Sequence, residues 1–467
     1  MRVPFHKASI TQEDEQAVLE VLRSGWLTTG NVTLEFEKLF SESVETPSIK
    51  EKRGKVISLA VNSNTSGMIL AMEACGVKEG TAVITTPYTF VSTAACARHL
   101  NADVYFADIE KDSYNIDPVK IEEILKKDFE SGEHKIKAIV PVHIAGNVCK
   151  MEQILELAKK YSTESNKIYV IEDAAHSYPS ETDLGYAGTI GDVGVFSFYV
   201  TKTMTTAEGG MVCTRNEDLA KRITVMRMHG MDRTTWDRYT SPRASWEYDI
   251  IAPGYKFNLP DVLSALGVSQ VKRAKLFFEQ RKKVVEQYNK AFKNLDFIEL
   301  PPDSKGNSWH LYLIRLNLDK ITISREEFAK KLQAEGLGIS VHFIPIFNFT
   351  YWKELYPWFT KENYPNAENQ YSRTISIPLY PDMTQEEVDY VCNLLERIRI
   401  RSEVFTFRKC DWEYFLEHHW RGVCSNIMNT LASDPDMLKE SFLITETSKI
   451  LEKKGFGVPV EFIAEDD

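Results

Sequence analysis

The sequence predicts an α/β fold built on a mostly parallel sheet. Three observations carry that expectation. From about Val56, short apolar runs alternate with helical stretches in the order KVISLAV, TAVITT, ADVYFADI, IKAIVPVH, KIYVIED, DVGVFSF and GGMVCT. Strands separated by helices read as βαβ units, and near-continuous apolar runs read as strands covered on both faces. The 467 residues, 43% hydrophobic and 26% charged, fit a globular chain of two or three domains better than a disordered, collagenous or coiled-coil one. In such a sheet, functional residues gather where strands end and helices begin.

The remaining elements follow in order. A helix is expected over Gln12–Arg23, then the loop SGWLTTGNVT, then a second helix around Leu34–Ser41. After Asn216 come charged helices, the aromatic loop WDRYTSPRASWEYD and a long helix at about Pro260–Ala291. A smaller α+β region follows: SWHLYLIRL as a strand, SREEFAKKLQAEG as a helix, ISVHFIPI as a strand and TQEEVDYVCNLLERIRI as a closing helix near Arg401. The expected division is a large domain over 1–258, a smaller α+β domain over 259–402 and an appended segment over 403–467.

Charge and cysteine usage exclude several classes. A formal net charge of −11 argues against nucleic acid as a partner, because phosphate-backbone binding needs a basic face. Seven scattered cysteines, with no C-x-x-C pair, argue against a zinc ribbon or a disulfide framework. No stretch approaches the roughly 18 uninterrupted apolar residues of a membrane span, and MRVPFHKASITQEDE lacks a signal-peptide core. A cytoplasmic enzyme without a membrane partner is the expectation.

The chemistry concentrates in IYVIEDAAHS…DVGVFSFYVTKTMTTAEGG. One apolar strand delivers Asp173 to its C-terminal end, and another delivers Ser197 and then Lys202. A parallel sheet presents both at one edge, where a lysine and a carboxylate suit a pyridoxal phosphate site. Taken singly, a strand-end aspartate is an ordinary helix cap and a loop lysine an ordinary solvated side chain. In VISLAVNSNTSGMILAMEACG, Thr65 and Ser66 stand where a helix is expected to begin near Ser66, a ready phosphate cup. In TTPYTFVSTAACA, Tyr88 or Phe90 could stack on a flat ring or simply pack.

Together these residues resemble the DegT/DnrJ/StrS family of PLP-dependent sugar aminotransferases, of fold type I. The resemblance runs from about Pro4 to Arg401 through SGWLTTGNVTLEFEKLF, NSNTSG, PYTFVST, DPVKIEE, IVPVHIAGN, EDAAHS, FSFYVTKTMTTAEGGM, PGYKFNLPD, VHFIPI and IPLYPDMTQEEV. It implies pyridoxal 5′-phosphate as cofactor and Lys202 as the catalytic, Schiff-base lysine. Asp173 would pair with the pyridinium nitrogen, His176 would contact the cofactor, and Ser197, Thr65 and Ser66 would hold its phosphate. Phe90 would stack on the ring. Asn258 lies in the segment that reaches the neighbouring subunit's cofactor, which implies a homodimer with shared active sites. This chain reads GYKFN where many members read GYNYR, so Lys256 and Asn258 both stand as candidates for that contact. NSNTSG likewise departs from the commoner SGTAA.

Trp26, Thr28 and Thr29, His229 and Gly230, and His342 match segments bordering the sugar site, while packing alone would also explain each histidine. The aromatic residues Trp236, Tyr239, Trp246 and Tyr248 could cover a nucleotide-sugar or pack at a dimer contact. The resemblance implies glutamate as donor and a keto-sugar nucleotide as acceptor, with a 4-keto-6-deoxy sugar or a cyclitol ketone as candidates. A non-catalytic binding relative is the alternative of a different class, and the presence of Lys202 favours the enzyme.

Residues 403–467 fall outside the resemblance. They carry 13 acidic against 7 basic residues, so more than half the net charge sits in a seventh of the chain. Cys410, His418, His419 and Cys424 fit no familiar zinc spacing, and no metal is expected. An apolar-striped helix, an SDPDM turn, a second helix over Asp436–Lys454 and a short extended ending are expected instead.

Overall fold

The seven apolar runs form one sheet. In the computed structural model, which describes residues 1–232, 247–321 and 323–402 together with the backbone of 405–407 and 460–462, they are β1 (Ile57–Val61), β2 (Ala82–Thr85), β3 (Asp103–Phe106), β4 (Ile136–Ile139), β5 (Tyr169–Asp173), β8 (Val193–Ser197) and β9 (Gly210–Thr214). The two-residue strands β6 (Glu181–Thr182) and β7 (Gly185–Tyr186) form a separate small hairpin. The sheet order is β1-β9-β8-β5-β4-β2-β3, with β9 antiparallel to both neighbours and all other pairs parallel. Six strands therefore send their C-terminal ends to one edge. β9 runs the other way and brings its first residue there: Gly210 pairs with both Val61 and Ser197, the last residues of β1 and β8.

That placement needs a glycine. A Cβ on Gly210 would lie 2.7–2.8 Å from the backbone of Ser63 and Asn64, where the helix after β1 begins. This helix spans Asn64–Ala74, two residues earlier than the sequence predicts, because Ser63 caps it by accepting from the Ser66 N–H. The expected helices at the N-terminus are present and slightly longer, at Gln12–Ser24 and Asn31–Ser43. The second is capped from a distance. Asp261, in the first turn of the helix Asp261–Phe292, accepts from Gly30 N (2.7 Å), Thr33 N (3.0 Å) and Thr33 Oγ1 (2.6 Å).

The 32-residue helix Asp261–Phe292, roughly 48 Å long at 1.5 Å per residue, reaches from the large sheet to a three-stranded antiparallel one. The latter contains β10 (Ile298–Glu299), β11 (Tyr312–Leu316) and β12 (Thr374–Ile377). Arg281, fully buried on this helix, donates to the carbonyls of His310 (3.1 Å) and Leu379 (2.8 Å), so it fixes the loops that enter β11 and leave β12. The predicted helices Arg325–Ala334 and Gln385–Ser402 are present. The segment ISVHFIPI is not a strand. Only Ser340 makes an isolated bridge, to Ser376, and Pro345 cannot donate to a ladder. Among the described residues, no helix is long and apolar enough to cross a membrane. Phe405–Phe407 and Val460–Phe462 pair as a parallel two-stranded ribbon. The helices expected over 403–467, Cys410, His418, His419 and Cys424, and Trp236, Tyr239 and Trp246 lie outside the described residues.

The end of β5 is held from below. Glu172, fully buried, accepts from Gly188 N (2.8 Å), Ile190 N (2.7 Å) and Gly191 N (2.7 Å), and pairs with His143 Nε2 at 2.9 Å. His143 Nδ1 accepts from the Cys149 N–H, which puts the ring proton on Nε2 and makes His143 the donor to Glu172. Truncation would strand four donors in the interior. Glu172→Ala is expected to cost about 3–5 kcal/mol of stability, read by denaturant unfolding, with Glu172→Gln intermediate.

Candidate active site

The strand ends converge on a cavity of about 380 Å³. From β5 and the turn after it come Asp173, Ala175 and His176; from β8 and its loop come Ser197, Tyr199, Thr201 and Lys202. The start of the helix after β1 adds Ser63, Asn64 and Thr65, and the loop after β2 adds Thr89, Phe90 and Ser92. Glu208 and Gly209 enter from the turn before β9. The far wall comes from distant sequence: Phe5, His310, Leu311, His342 and Phe343.

Asp173 is oriented by three donors. Its Oδ1 accepts from the Asn64 side chain (3.3 Å) and the Ala175 N–H (3.2 Å), and its Oδ2 accepts from Thr93 Oγ1 (2.7 Å). Asn64 is held in turn by the Val195 carbonyl (2.8 Å). Lys202 follows β8 in a turn closed by its own N–H on the Tyr199 carbonyl (2.9 Å). Burial pulls its amine down to about 8, and the negative charge of Asp173 opposes that shift. A lysine tuned so close to neutral pH keeps a substantial free-base fraction, the form that acts as nucleophile or base.

Three histidines crowd the same cavity. His176 Nδ1 accepts from the Ala145 N–H (3.3 Å), which leaves the proton on Nε2. His310 lies 4.4 Å from it between ring centroids, and Phe343 stacks on it at 5.4 Å. His342 pairs with Ser376 Oγ through Nδ1 at 2.8 Å. Burial, reinforced by the charge of Lys202, holds His176 and His310 well below the usual imidazole range and His342 at about 3. All three are uncharged at neutral pH. Among the described lining residues, Lys202 is therefore the only cation.

Of the residues singled out in the sequence, Thr65, Phe90, Asp173, His176, Ser197, Lys202 and His342 line this one cavity. Ser66 does not: its N–H donates to Ser63 Oγ and its hydroxyl to Asn62 Oδ1 (2.5 Å), so both polar groups are used within the cap. Tyr88 is buried, stacks on Tyr114 at 5.6 Å and donates to the His342 carbonyl, leaving Phe90, 58% exposed, as the ring facing the cavity. Thr28, Thr29, His229, Lys256 and Asn258 form a second group outside the lining. Asn258 donates to Thr29 Oγ1 (2.6 Å) and accepts from Lys256 Nζ. Thr28 accepts from Asp261 N through its carbonyl, and His229 N–H donates to the Tyr255 carbonyl. Asn64, Thr93, Phe5, His310 and Phe343 were not anticipated. Among the described residues, no group of three or more His, Cys, Asp or Glu side chains is placed to hold a metal ion.

Comparison with known proteins decides the lineage. The family model described as the DegT/DnrJ/EryC1/StrS aminotransferase family matches residues 8–396. The chain belongs to that family. It is 38% identical over 400 residues to the spore coat polysaccharide biosynthesis protein SpsC of Bacillus subtilis, covering 85% of this chain and 96% of SpsC. Among solved structures it resembles a proposed sugar aminotransferase of Streptococcus pneumoniae in its PLP-form (TM-score 0.75, 28% identity, 85% of this chain and 99% of that one). Helicobacter pylori PseC, an aminotransferase involved in the biosynthesis of pseudoaminic acid, superimposes with TM-score 0.73 at 28% identity, over 85% of this chain and 99% of PseC. The fold is that of the fold type I sugar aminotransferases, and the cofactor of this family member is pyridoxal 5′-phosphate.

The residues present fit that group. The cavity joins a half-buried lysine amine, a carboxylate already aligned by three donors, a helix N-terminus flanked by the hydroxyls of Ser63, Thr65, Ser197 and Thr201, and a large exposed aromatic ring. A helix N-terminus with hydroxyl donors suits a phosphate, and a flat heterocycle suits the Phe90 face.

In the cofactor-free protein, the Lys202 amine is expected to titrate near 8, read from the pH dependence of its labelling by an amine-reactive probe. Asp173→Asn removes the carboxylate that favours the ammonium, so the midpoint should move lower. A midpoint unchanged or raised in the variant would contradict the coupling.

Proposed function

We propose that this family member transfers the amino group of glutamate to the ketone of a nucleotide-linked 4-keto-6-deoxy sugar, in amino-sugar or glycan biosynthesis. The observation that carries the reading is the meeting of Lys202 and Asp173 in one cavity whose other titratable rings are neutral. The kinship with SpsC, named for polysaccharide synthesis, and with PseC, named for pseudoaminic acid, supports the substrate class. A cytoplasmic location belongs to the same reading, as does the division into a cofactor domain over 1–258, a smaller domain over 259–402 and an appendage over 403–467.

When bound, pyridoxal phosphate supplies an electron sink for charge that develops on the substrate carbon. Lys202 Nζ is the base: it would take the proton from the amino-bearing carbon of glutamate and, in the second half of the cycle, give a proton to the sugar carbon that becomes aminated. Asp173, fixed by Asn64, Thr93 and the Ala175 N–H, holds the ring N–H in its protonated form. His176 would contact the cofactor through its Nε2–H, a role open to a neutral imidazole with this tautomer. Thr65, Ser63, Ser197 and Thr201, with the helix N-terminus, would hold the phosphate, and Phe90 would cover a ring face; all line the cavity. Thr28, Thr29, His229 and His342 border the sugar site. Lys256 or Asn258 from a second copy reaches the phosphate, so the working unit is a homodimer with shared sites.

Incubation of the loaded enzyme with glutamate and a panel of 4-keto-6-deoxy nucleotide-sugars should yield an amino sugar and 2-oxoglutarate, with no product from Lys202→Ala. Amination of none of the panel would overturn the acceptor class. Subunit mixing tests the shared site. Lys202→Ala and the double variant Lys256→Ala/Asn258→Ala should each be nearly inactive as homodimers. Their mixture should recover about a quarter of wild-type activity, since one heterodimer site has every part intact. No recovery on mixing would contradict sharing.

A further inference from the structure

The segment before the first helix has no regular secondary structure, yet it contacts the small sheet's loops, the long helix and the chain just before Lys202. Val3 pairs through both main-chain groups with the loop after the helix Arg325–Ala334, its N–H to the Gly336 carbonyl (3.0 Å) and its carbonyl from the Gly338 N–H (2.7 Å). Glycine is required on both sides of Leu337. A Cβ on Gly338 would collide with the Phe5 nitrogen, and Gly336, at φ +86°, would bring one to 2.6 Å from the Met1 carbonyl. Farther along, the Ser9 carbonyl accepts from Gln270 on the long helix (2.9 Å).

Between these anchors sit Phe5 and His6. His6 packs edge-on against Tyr380 at 6.4 Å and interacts with the Val200 carbonyl, two residues before Lys202. Burial and the nearby Arg281 guanidinium lower it to about 4, so it packs as a neutral ring. Phe5 lies parallel to His342 (5.6 Å, 23°) and lines the cavity itself. The family model's match begins at residue 8, three residues beyond Phe5.

We propose that this N-terminal strap is a working wall of the cavity and that Phe5 is a specificity-determining residue for the amino acceptor. The inference rests on the proposed aminotransferase reading and adds a substrate contact to it. Phe5, Phe90 and Phe343 make the mouth aromatic. A flat apolar ring matches the C–H face of a deoxy-sugar ring, whereas glutamate, small and doubly anionic, gains nothing from it. Phe5 should therefore matter to one half of the reaction and not to the other.

The test uses the full chain loaded with pyridoxal phosphate. Phe5→Ala and Phe5→Leu are compared with wild type in the separate half-reactions, and the acceptor probes are the UDP and dTDP forms of 4-keto-6-deoxy sugars. Calorimetric binding of the same probes gives a readout independent of turnover. Removing the ring is expected to weaken acceptor binding and raise its KM about ten-fold, the scale of lost apolar contact in a pocket. The glutamate half-reaction should stay within about two-fold, because no contact of this kind serves it. Phe5→Leu keeps an apolar side chain without the flat face and should fall between. Equal loss in both half-reactions, or no loss in either, overturns the proposal while leaving the aminotransferase reading intact. Wild-type protein that reacts with glutamate yet binds neither probe overturns both the wall and the acceptor class.

Discussion

Everything at the site depends on the alternation of side chains at the end of β5. Successive strand residues point to opposite faces, so Glu172 turns into the protein and Asp173 into the cavity. Glu172 satisfies three backbone N–H groups and His143, which clamps the loop before β8 to the strand. Asp173 is then aligned by Asn64, Thr93 and Ala175. The two carboxylates do different work because their partners differ. One is saturated by fixed donors inside the fold, and the other lines the cavity.

The second constraint is the reversed strand β9. A wholly parallel sheet would deliver only strand C-termini to this edge. The antiparallel insertion brings Gly210 against both Val61 and Ser197 and lets the helix start at Asn64 come close. Hydroxyls on two different loops therefore share one small volume with Lys202. The histidines complete the balance of charge. Crowded and neutral, they provide hydrogen bonding and ring surface without adding cations beside a lysine that burial already makes more acidic.

Much of this was legible in the sequence because it is local. The apolar runs mark all seven strands of the large sheet, and EDAAHS with FSFYVTK places Asp173, His176, Ser197 and Lys202 at strand ends. What was missed depends on contacts across long separations. Asn64 and Thr93 align Asp173 from other segments, and His310 and Phe5 arrive from opposite ends of the core. A faint signal for the strap existed in the G-L-G spacing of Gly336 and Gly338, which only makes sense once a second chain segment runs beside it. Ser66 reads differently. Its type and position suggest a phosphate ligand, while in the structure its N–H and hydroxyl are engaged by Ser63 and Asn62.

The account stands or falls on Lys202 as the residue that engages the cofactor. Borohydride reduction of the pyridoxal-phosphate-loaded protein, followed by peptide mass spectrometry, reads this directly. The account predicts a single stoichiometric cofactor adduct on the peptide containing Lys202, lost in Lys202→Ala. An adduct on a different lysine, or none under conditions that load the protein, would contradict it.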